Sequence, residues 1–541
     1  MPIRFVLVTL AVLVAGAACS KTVGLDLQLV EPCDQKAQAL NGISSFRVST
    51  SGGASNDTVT FTVDQGPQPL AVGLGQVLVT VQAFANDVST GAAAATPQAI
   101  GRTVPLSITE QSQDAKALVL VGELDSFGKT TAADGSCTSM TAGAPITGRH
   151  GHTATFVPVL NKVLIFGGAV IADDGSERFL STAELWDPST GAFEQLPDIG
   201  SARAFHAATA LPDGRVLISG GFGVVSGHVS ALLSAVVFDP SRLADPFSPL
   251  FMKQARANHT STLMEGAGLV VLAGGCVGNT EADGCTPTSA ARGGHGPSTQ
   301  LPLASMETFD ITQPTGAAVT VAVPNTGGLQ FPRAFHQATS LENGQATVLV
   351  VTGGTDETGP RCEIEFFRAS GGTLQRVINA AAVPFPAGQC PVRHAAVAID
   401  QHHVMTIGGL TTAANGVLNN AGNALNRAFV VGDALGVNQT DTITLLNGGT
   451  RVGALAAQLI DGSVVVVGGV TAPDAPPAEV LRVGVGPAPF TPQPLAGPAA
   501  IEARDHAALA VLPNNELFYC GGESTSPPIK SSSSADIFFG P

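Results

Sequence analysis

Arginine and histidine recur together along this chain, and they are the side chains with the most chemistry to offer. Arg149, Arg203, Arg256, Arg333, Arg393, Arg451 and Arg504 each open a similar stretch; His152, His206, His259, His336, His394 and His506 travel with them, with His150 nearby. A guanidinium grips carboxylates or phosphates through a planar fork of donors, and imidazole is a common metal ligand and proton carrier. Acids stand at matching places further on, at Glu184, Glu307, Glu365, Glu479 and Asp536. An unpaired buried charge is costly, so the set reads as a brace repeated along the chain. Its members are Arg149 with Glu184, Arg256 with Glu307, Arg333 with Glu365, Arg451 with Glu479 and Arg504 with Asp536. An arginine-lined mouth that binds anionic groups is the alternative. Repetition favours the brace, since a binding site usually breaks symmetry. Further acids, Asp173, Asp174, Glu281, Asp283, Asp356 and Glu357, fall in loops. Neither Asp173-Asp174-Gly175 nor Asp356-Glu357 has the ligand spacing of a known calcium loop.

The elements that must position these residues are marked by glycine. Apolar runs end in the pairs Gly167-Gly168, Gly220-Gly221, Gly274-Gly275, Gly353-Gly354, Gly408-Gly409, Gly468-Gly469 and Gly521-Gly522. Measured between second glycines, successive copies stand 53, 54, 79, 55, 60 and 53 residues apart, and an insertion from 278 to 296 accounts for the long interval. Each unit reads as strand, turn, strand ending in the glycine pair, loop, third strand, turn and a short fourth strand. A four-stranded sheet cannot bury both faces until neighbours stack on it, so the repeat predicts an all-β, seven-bladed β-propeller. On such a ring the histidines would lie too far apart for one ion to reach more than one or two at about 2.0–2.1 Å, and no metal ligand set is expected. The last unit stops at Pro541 after its third strand, which predicts that the segment 136–146 closes the ring by supplying the fourth.

From Arg149 to Pro541 these units resemble kelch repeats, in which a hydrophobic strand ends in Gly-Gly and an aromatic follows on the next strand. The chain departs from that pattern in having a single Trp, Trp186, with Phe238, Phe309, Phe367 and Phe538 in the corresponding places. Some kelch-like propellers resemble the galactose oxidase catalytic domain, whose copper radical site uses two Tyr, one crosslinked to Cys, and two His. Tyr519 is the only tyrosine, so that chemistry is not expected, nor is any cofactor or catalytic residue.

The N-terminus carries a short basic start and the apolar run FVLVTLAVLVAGAACS. This is the pattern of an export signal and is too short to span a membrane and remain there. Its end at Cys19 resembles a bacterial lipoprotein signal, which implies residues 1–19 as signal and lipidated Cys19, and Ser20 resembles outer-membrane sorting. Exported proteins keep disulfides; neighbouring positions suggest Cys33 with Cys137, Cys276 with Cys285 and Cys362 with Cys390, leaving Cys520 as a buried, inert thiol. Residues 20–135 lack the glycine pairs and alternate as in SSFRVSTS and QVLVTVQAFA, which predicts a small β-sandwich resembling an immunoglobulin-like module. The propeller then takes 136–541.

The chain has 541 residues, 44% hydrophobic and 13% charged, with a formal net charge of −16. That balance argues against a nucleic-acid partner, whose phosphates are neutralised by Lys and Arg. The expectation is a non-catalytic, extracytoplasmic binding lipoprotein whose loops take an envelope or surface protein, or a polysaccharide. Loop 276–300 is the first place to look and loop 410–427 the second, because long loops on rigid scaffolds carry binding. The alternatives are a carbohydrate-active enzyme with its site in the channel mouth, and a purely structural envelope component.

Overall fold

The computed structural model describes most of residues 22–540 together with Leu7–Val8. The larger stretches outside that description are 9–21, 90–95, 141–147, 278–300, 312–320, 378–384, 412–426, 433–440, 445–450, 472–477, 484–489 and 495–500. The signal apart from Leu7–Val8, Cys19, Cys285, Asp173-Asp174-Gly175, Glu281, Asp283, Glu357 and nearly all of both candidate loops therefore fall outside it.

The described chain is all-β apart from two 3-10 turns. Its repeated part forms seven four-stranded antiparallel sheets. Unit one comprises Thr153–Val157, Lys162–Phe166, Ala183–Asp187 and Ala192–Gln195, paired in that order. The first strands of units two to seven begin at Ala207, Thr260, Gln337, Ala395, Leu455 and Ala508. Each first strand touches the first strand of the next unit, and that of unit seven touches that of unit one, so the sheets close a ring in the manner of a β-propeller.

Strand alternation explains the packing. In unit one Val163, Ile165 and Trp186 face unit seven, where Trp186 stacks on Phe518 at 4.4 Å, while Leu164, Phe166 and Leu185 face Val216, Ile218 and Phe238 of unit two. Both faces of each second strand are therefore buried, which is why these strands read as unbroken apolar runs rather than alternating ones.

The ring is closed by Ser126–Lys129, which pairs antiparallel with Ala535–Phe539 as the fourth strand of unit seven. This corrects the expectation that 136–146 fills that edge: the closing strand comes from ten residues upstream. Residues 130–140 instead fold back along it, with Thr138 N–H donating to Thr130 O at 2.9 Å and Met140 N–H to Ser533 O at 3.1 Å.

Upstream, a six-stranded sheet built around Gly75–Phe84 and Ser45–Gly52 faces the parallel pair Leu25–Val30 and Ala115–Leu120 across one core containing Phe46, Phe61, Val79, Leu27 and Val119. It docks on unit seven. Arg102 Nη1 donates to Gly540 O at 2.9 Å, its backbone N–H donates to Glu516 Oε1 at 3.2 Å, and Asn514 Nδ2 donates to Arg102 O at 3.2 Å. Burial pushes the Glu516 carboxyl up to about 8 against the opposing pull of Arg102. Disulfides join Cys33 to Cys137 and Cys362 to Cys390. Cys276 is also disulfide-bonded, to a residue outside the described set.

Candidate functional site

The glycine pairs and the Arg-x-x-His stretches are two sides of one joint. The first glycine of each pair has a positive φ and lies under the stretch that opens the next unit. A Cβ on Gly353 would stand 2.1 Å from Pro391 O and 2.7 Å from His394 Cε1; on Gly274 it would stand 2.5 Å from Arg333 O and 2.7 Å from His336 Cε1. Only glycine fits, because the imidazole of the next unit rests where a side chain would be. The ring then bonds back to the preceding unit: His206 Nε2 meets Thr153 Oγ1 at 3.0 Å, His259 meets Ser219 Oγ at 2.8 Å, His336 meets Thr260 Oγ1 at 3.1 Å and His394 meets Thr352 Oγ1 at 2.9 Å. In unit one the partner of His152 is Cys520 Sγ at 3.4 Å. Burial holds His206, His336 and His394 down at about 3 and pushes the Cys520 thiol up to about 12. These imidazoles are neutral struts.

The arginines are buried as well. Arg149 pairs with Glu184, Arg256 with Glu307 at 2.7 Å, Arg333 with Glu365 at 2.8 Å and Arg504 with Asp536 at 2.6 Å. Each also donates to a carbonyl at the end of the unit's second or third strand, as Arg333 Nη1 does to Gly353 O at 2.8 Å. Unit two has Val236 at the acid's place, and Arg203 donates instead to Ser234 Oγ at 2.9 Å and Ser201 Oγ at 3.2 Å. Arg451 donates to Gly468 O at 3.3 Å; Glu479 holds the matching register position opposite Val466, its side chain outside the described set.

Two residues do not belong to these series. In unit five the carbonyl over Gly353 comes from Pro391, so Pro391 holds the place of the bracing arginines and Arg393 stands two residues further on. In unit seven His506 stands one residue before the strut position, which is Ala507. Both occupy the place between arginine and strut, where the chain turns into the left-handed region in every unit: Gly151, Phe205, Asn258, Phe335, Arg393, Gly453 and His506 all have φ between 50° and 73°. This twist brings all seven to the wall of one cavity. The turns are stitched by backbone hydrogen bonds from Phe205 to Gly151, Asn258 to Phe205, Phe335 to Asn258, Arg393 to Phe335, Gly453 to Arg393 and Gly151 to His506. The remaining link, between His506 and Gly453, is replaced: His506 N–H donates to Asp505 Oδ1 at 2.9 Å.

Above this stitched ring lies a cavity of about 260 Å³ walled by Phe205, Asn258, Phe335, Arg393, Asp505 and His506, with the struts beneath. Its sides differ. Around units two to six the flanking positions are apolar or small, including Phe222, Ala257, Cys276, Ala334, Val392, Leu410 and Val452, which form one cluster. Where unit seven meets unit one they become Asp505, Glu523 and His150. Arg393 reaches across to Asp505 Oδ1 at 2.6 Å, and its Nη2 lies 3.3 Å from His506 Nε2. His150 Nε2 meets Glu177 Oε1 at 2.6 Å and its Nδ1 meets Ser531 Oγ at 2.9 Å. Burial alone would raise the Asp505 carboxyl, but Arg393 and His506 outweigh it and hold it below the usual value. Burial pushes Glu523 up to about 7, with His150 pulling the other way. Gly453 is needed beside this crossing, since a Cβ there would lie 2.7 Å from Asp505 Oδ1 and 2.8 Å from Arg393 Nη2.

Sequence reasoning passed over Asp505, Glu523, Glu177 and Phe205. The signal was present: Arg393 adjoins its histidine where units one to four leave two residues between, and Asp505 and Glu523 are the only acids at places where the other units carry Ala, Val, Leu, Thr, Phe, Cys or His. Asp356, one of the loop acids, pairs with Arg361. Tyr519 is buried in the strand Leu517–Cys520, 4.2 Å beneath the Arg504 guanidinium, away from the mouth.

No protein-family description and no curated protein matches the chain. Among solved structures it is similar to a fungal alcohol oxidase of the AA5 family in complex with copper, at 17% identity and a TM-score of 0.47, covering 73% of this chain and 75% of that one. It is also similar to YjhT, at 13% identity and a TM-score of 0.43, covering 65% of this chain and all of that one. The disulfides mark an extracytoplasmic protein, and among the described residues no helix is long and apolar enough to cross a membrane.

Proposed function

We propose that this chain is an exported lipoprotein anchored through Cys19 at the outer membrane. In this reading an immunoglobulin-like sandwich, residues 20–135, carries a seven-bladed kelch-type propeller, residues 136–541, with Ser126–Lys129 lent to the last blade. It acts as a non-catalytic binding module, and the channel mouth takes the end of an envelope or surface glycan or protein.

The observation that carries this reading is the broken symmetry of the mouth. Five of the seven ring positions keep to the structural scheme, while Arg393 in unit five and Asp505 and His506 in unit seven leave it to put charge and hydrogen-bonding groups on the wall of a cavity that also offers the rings of Phe205 and Phe335. At about 260 Å³ the cavity lies below the usual range for whole small-molecule ligands, so it suits one sugar ring or side chain of a larger partner. Affinity capture from envelope extract, comparing the parent protein with Phe205→Ala, tests it. A defined glycan or protein retained by the parent and lost from a folded Phe205→Ala supports the mouth. Equal retention moves the contact to the loops, with 276–300 first.

A second reading, a carbohydrate-active enzyme, is favoured by one observation: Asp505 is held low while its neighbour Glu523 is pushed to about 7, the split that an acid and base pair requires. Glu523 stands behind His506 rather than on the cavity wall, and binding therefore ranks first.

A further inference from the structure

We propose that Asp505, His506 and Glu523 bind one divalent transition-metal ion of the zinc type, just behind the wall of the mouth. Asp505 and Glu523 are antiparallel partners on the short strands Arg504–Asp505 and Glu523–Ser524, so their side chains emerge together, and the left-handed turn at His506 swings its ring between them. His506 Nε2 lies 3.5 Å from Asp505 Oδ2 and 3.9 Å from Glu523 Oε1, and one ligand atom from each of the three lies within 4.8 Å of the others. Around a tetrahedral ion with bonds of about 2.0–2.1 Å, neighbouring ligand atoms stand about 3.4 Å apart. A small inward adjustment completes three corners and leaves the fourth for water.

A second observation points the same way. The Glu523 side chain is only 9% exposed, yet the ion-pair partner of its carboxylate is His506 Nε2 at 3.9 Å, beyond hydrogen-bond distance. The buried acids Glu307, Glu365 and Asp536 each hold an arginine instead. Asp505 is prepared for a metal in another way: Oδ1 accepts from Arg393 and from the His506 N–H, which fixes the carboxylate and turns Oδ2 toward the imidazole. Such outer partners commonly orient metal ligands. Arg393 can only donate, so its 3.3 Å approach to His506 Nε2 is made to the lone pair that would ligate. Binding moves the guanidinium off that nitrogen while its bond to Asp505 remains. No other unit repeats the trio; the equivalents are Ala204 with Phe222, Ala257 with Cys276, Ala334 with Thr355, Val392 with Leu410, Val452 with Val470 and His150 with Ala169.

The inference is independent of what the mouth binds, and its test is metal binding itself. The full-length protein, purified in detergent and stripped with chelator, is titrated with Zn²⁺ by calorimetry, with melting followed in parallel. One site per chain is expected, weakened about tenfold or more by Glu523→Gln and by His506→Gln. His403→Ala, which removes the exposed His403–Asp400 pair, should leave that site unchanged. Affinity weaker than about 1 mM, or parent-like affinity in both folded mouth variants, overturns the proposal. If one variant fails to fold, the other decides, because Glu523 lies on a strand and His506 in a turn of a different segment.

Discussion

Units three and four and the junction of units seven and one are made from the same strand order, yet they use their inner turns differently. In units three and four, arginine is satisfied by its own unit's acid, histidine by a hydroxyl of the unit before, and the flanking positions by apolar contacts. Each of these charged or imidazole side chains has a partner in its own unit or the one before, although Arg256 Nε, Arg333 Nε and the Nδ1 atoms of His259 and His336 are left without one. At the junction the partners come from far along the chain: Arg393 and Asp505 are 112 residues apart, His150 and Ser531 381. A repeat can support its own fold with local pairs; it acquires a site where those pairs are exchanged for long-range ones, which leave some groups, such as Glu523, incompletely matched.

Three experiments bear on that contrast. The largest effect should come from the braces. Arg333→Met strands Glu365 in the interior and should cost about 3–5 kcal/mol in chemical denaturation. Arg203→Met leaves only hydroxyls and carbonyls unpaired and should cost about 1–3 kcal/mol. Equal losses would mean that the acids contribute nothing beyond the neutral partners of unit two.

Next come the glycines. Gly353→Ala meets both Pro391 O and the His394 ring, whereas Gly408→Ala meets Arg451 backbone with no imidazole above it, because Ala454 replaces the strut in unit six. Overpacking of about 1–3 kcal/mol is expected at Gly353 beyond the backbone strain common to both. A melting difference of the opposite sign would remove the strut from the explanation.

The smallest effect concerns Glu523 and pH, measured in metal-free buffer. An acid whose folded pKa is raised keeps its proton longer in the folded chain than in the unfolded one. Stability is therefore greatest below the ordinary glutamate value of 4.5 and is lost as pH climbs from there to about 7, staying low above it. Glu523→Gln should match the parent near pH 4 and exceed it by on the order of 2 kcal/mol at pH 8. A gain that is the same at both pH values would show that ionisation of Glu523 is not the penalty.

Much of the ring was legible beforehand. A strand buried on both faces must read as an apolar run, and a close approach of backbone and imidazole demands glycine, so VLIFGG and its six relatives carry the architecture in their own residues. The arginines, acids and histidines of units one, three and four were legible for the same reason: the spacing within a unit sets the register. Arg393 and His506 were misplaced because alignment by residue type hid shifts of two positions and one. On a chain turning through the left-handed region, such a shift takes a side chain from the brace or the strut position to the cavity wall.

The sequence by itself determined the repeated sheets and the buried arginine–acid pairs of units one, three, four and seven, because these follow from alternation and from partners within about one unit's length. Tertiary structure alone decided that Ser126–Lys129 closes the ring, since any β-competent segment near the edge could have paired there and only docking of the upstream sheets on unit seven selects it. It also decided which polar residues gather at the mouth. Closing a ring brings residue 150 beside residue 531 and residue 393 beside residue 505, and no local pattern in a linear chain encodes a distance that exists only once the ends have met.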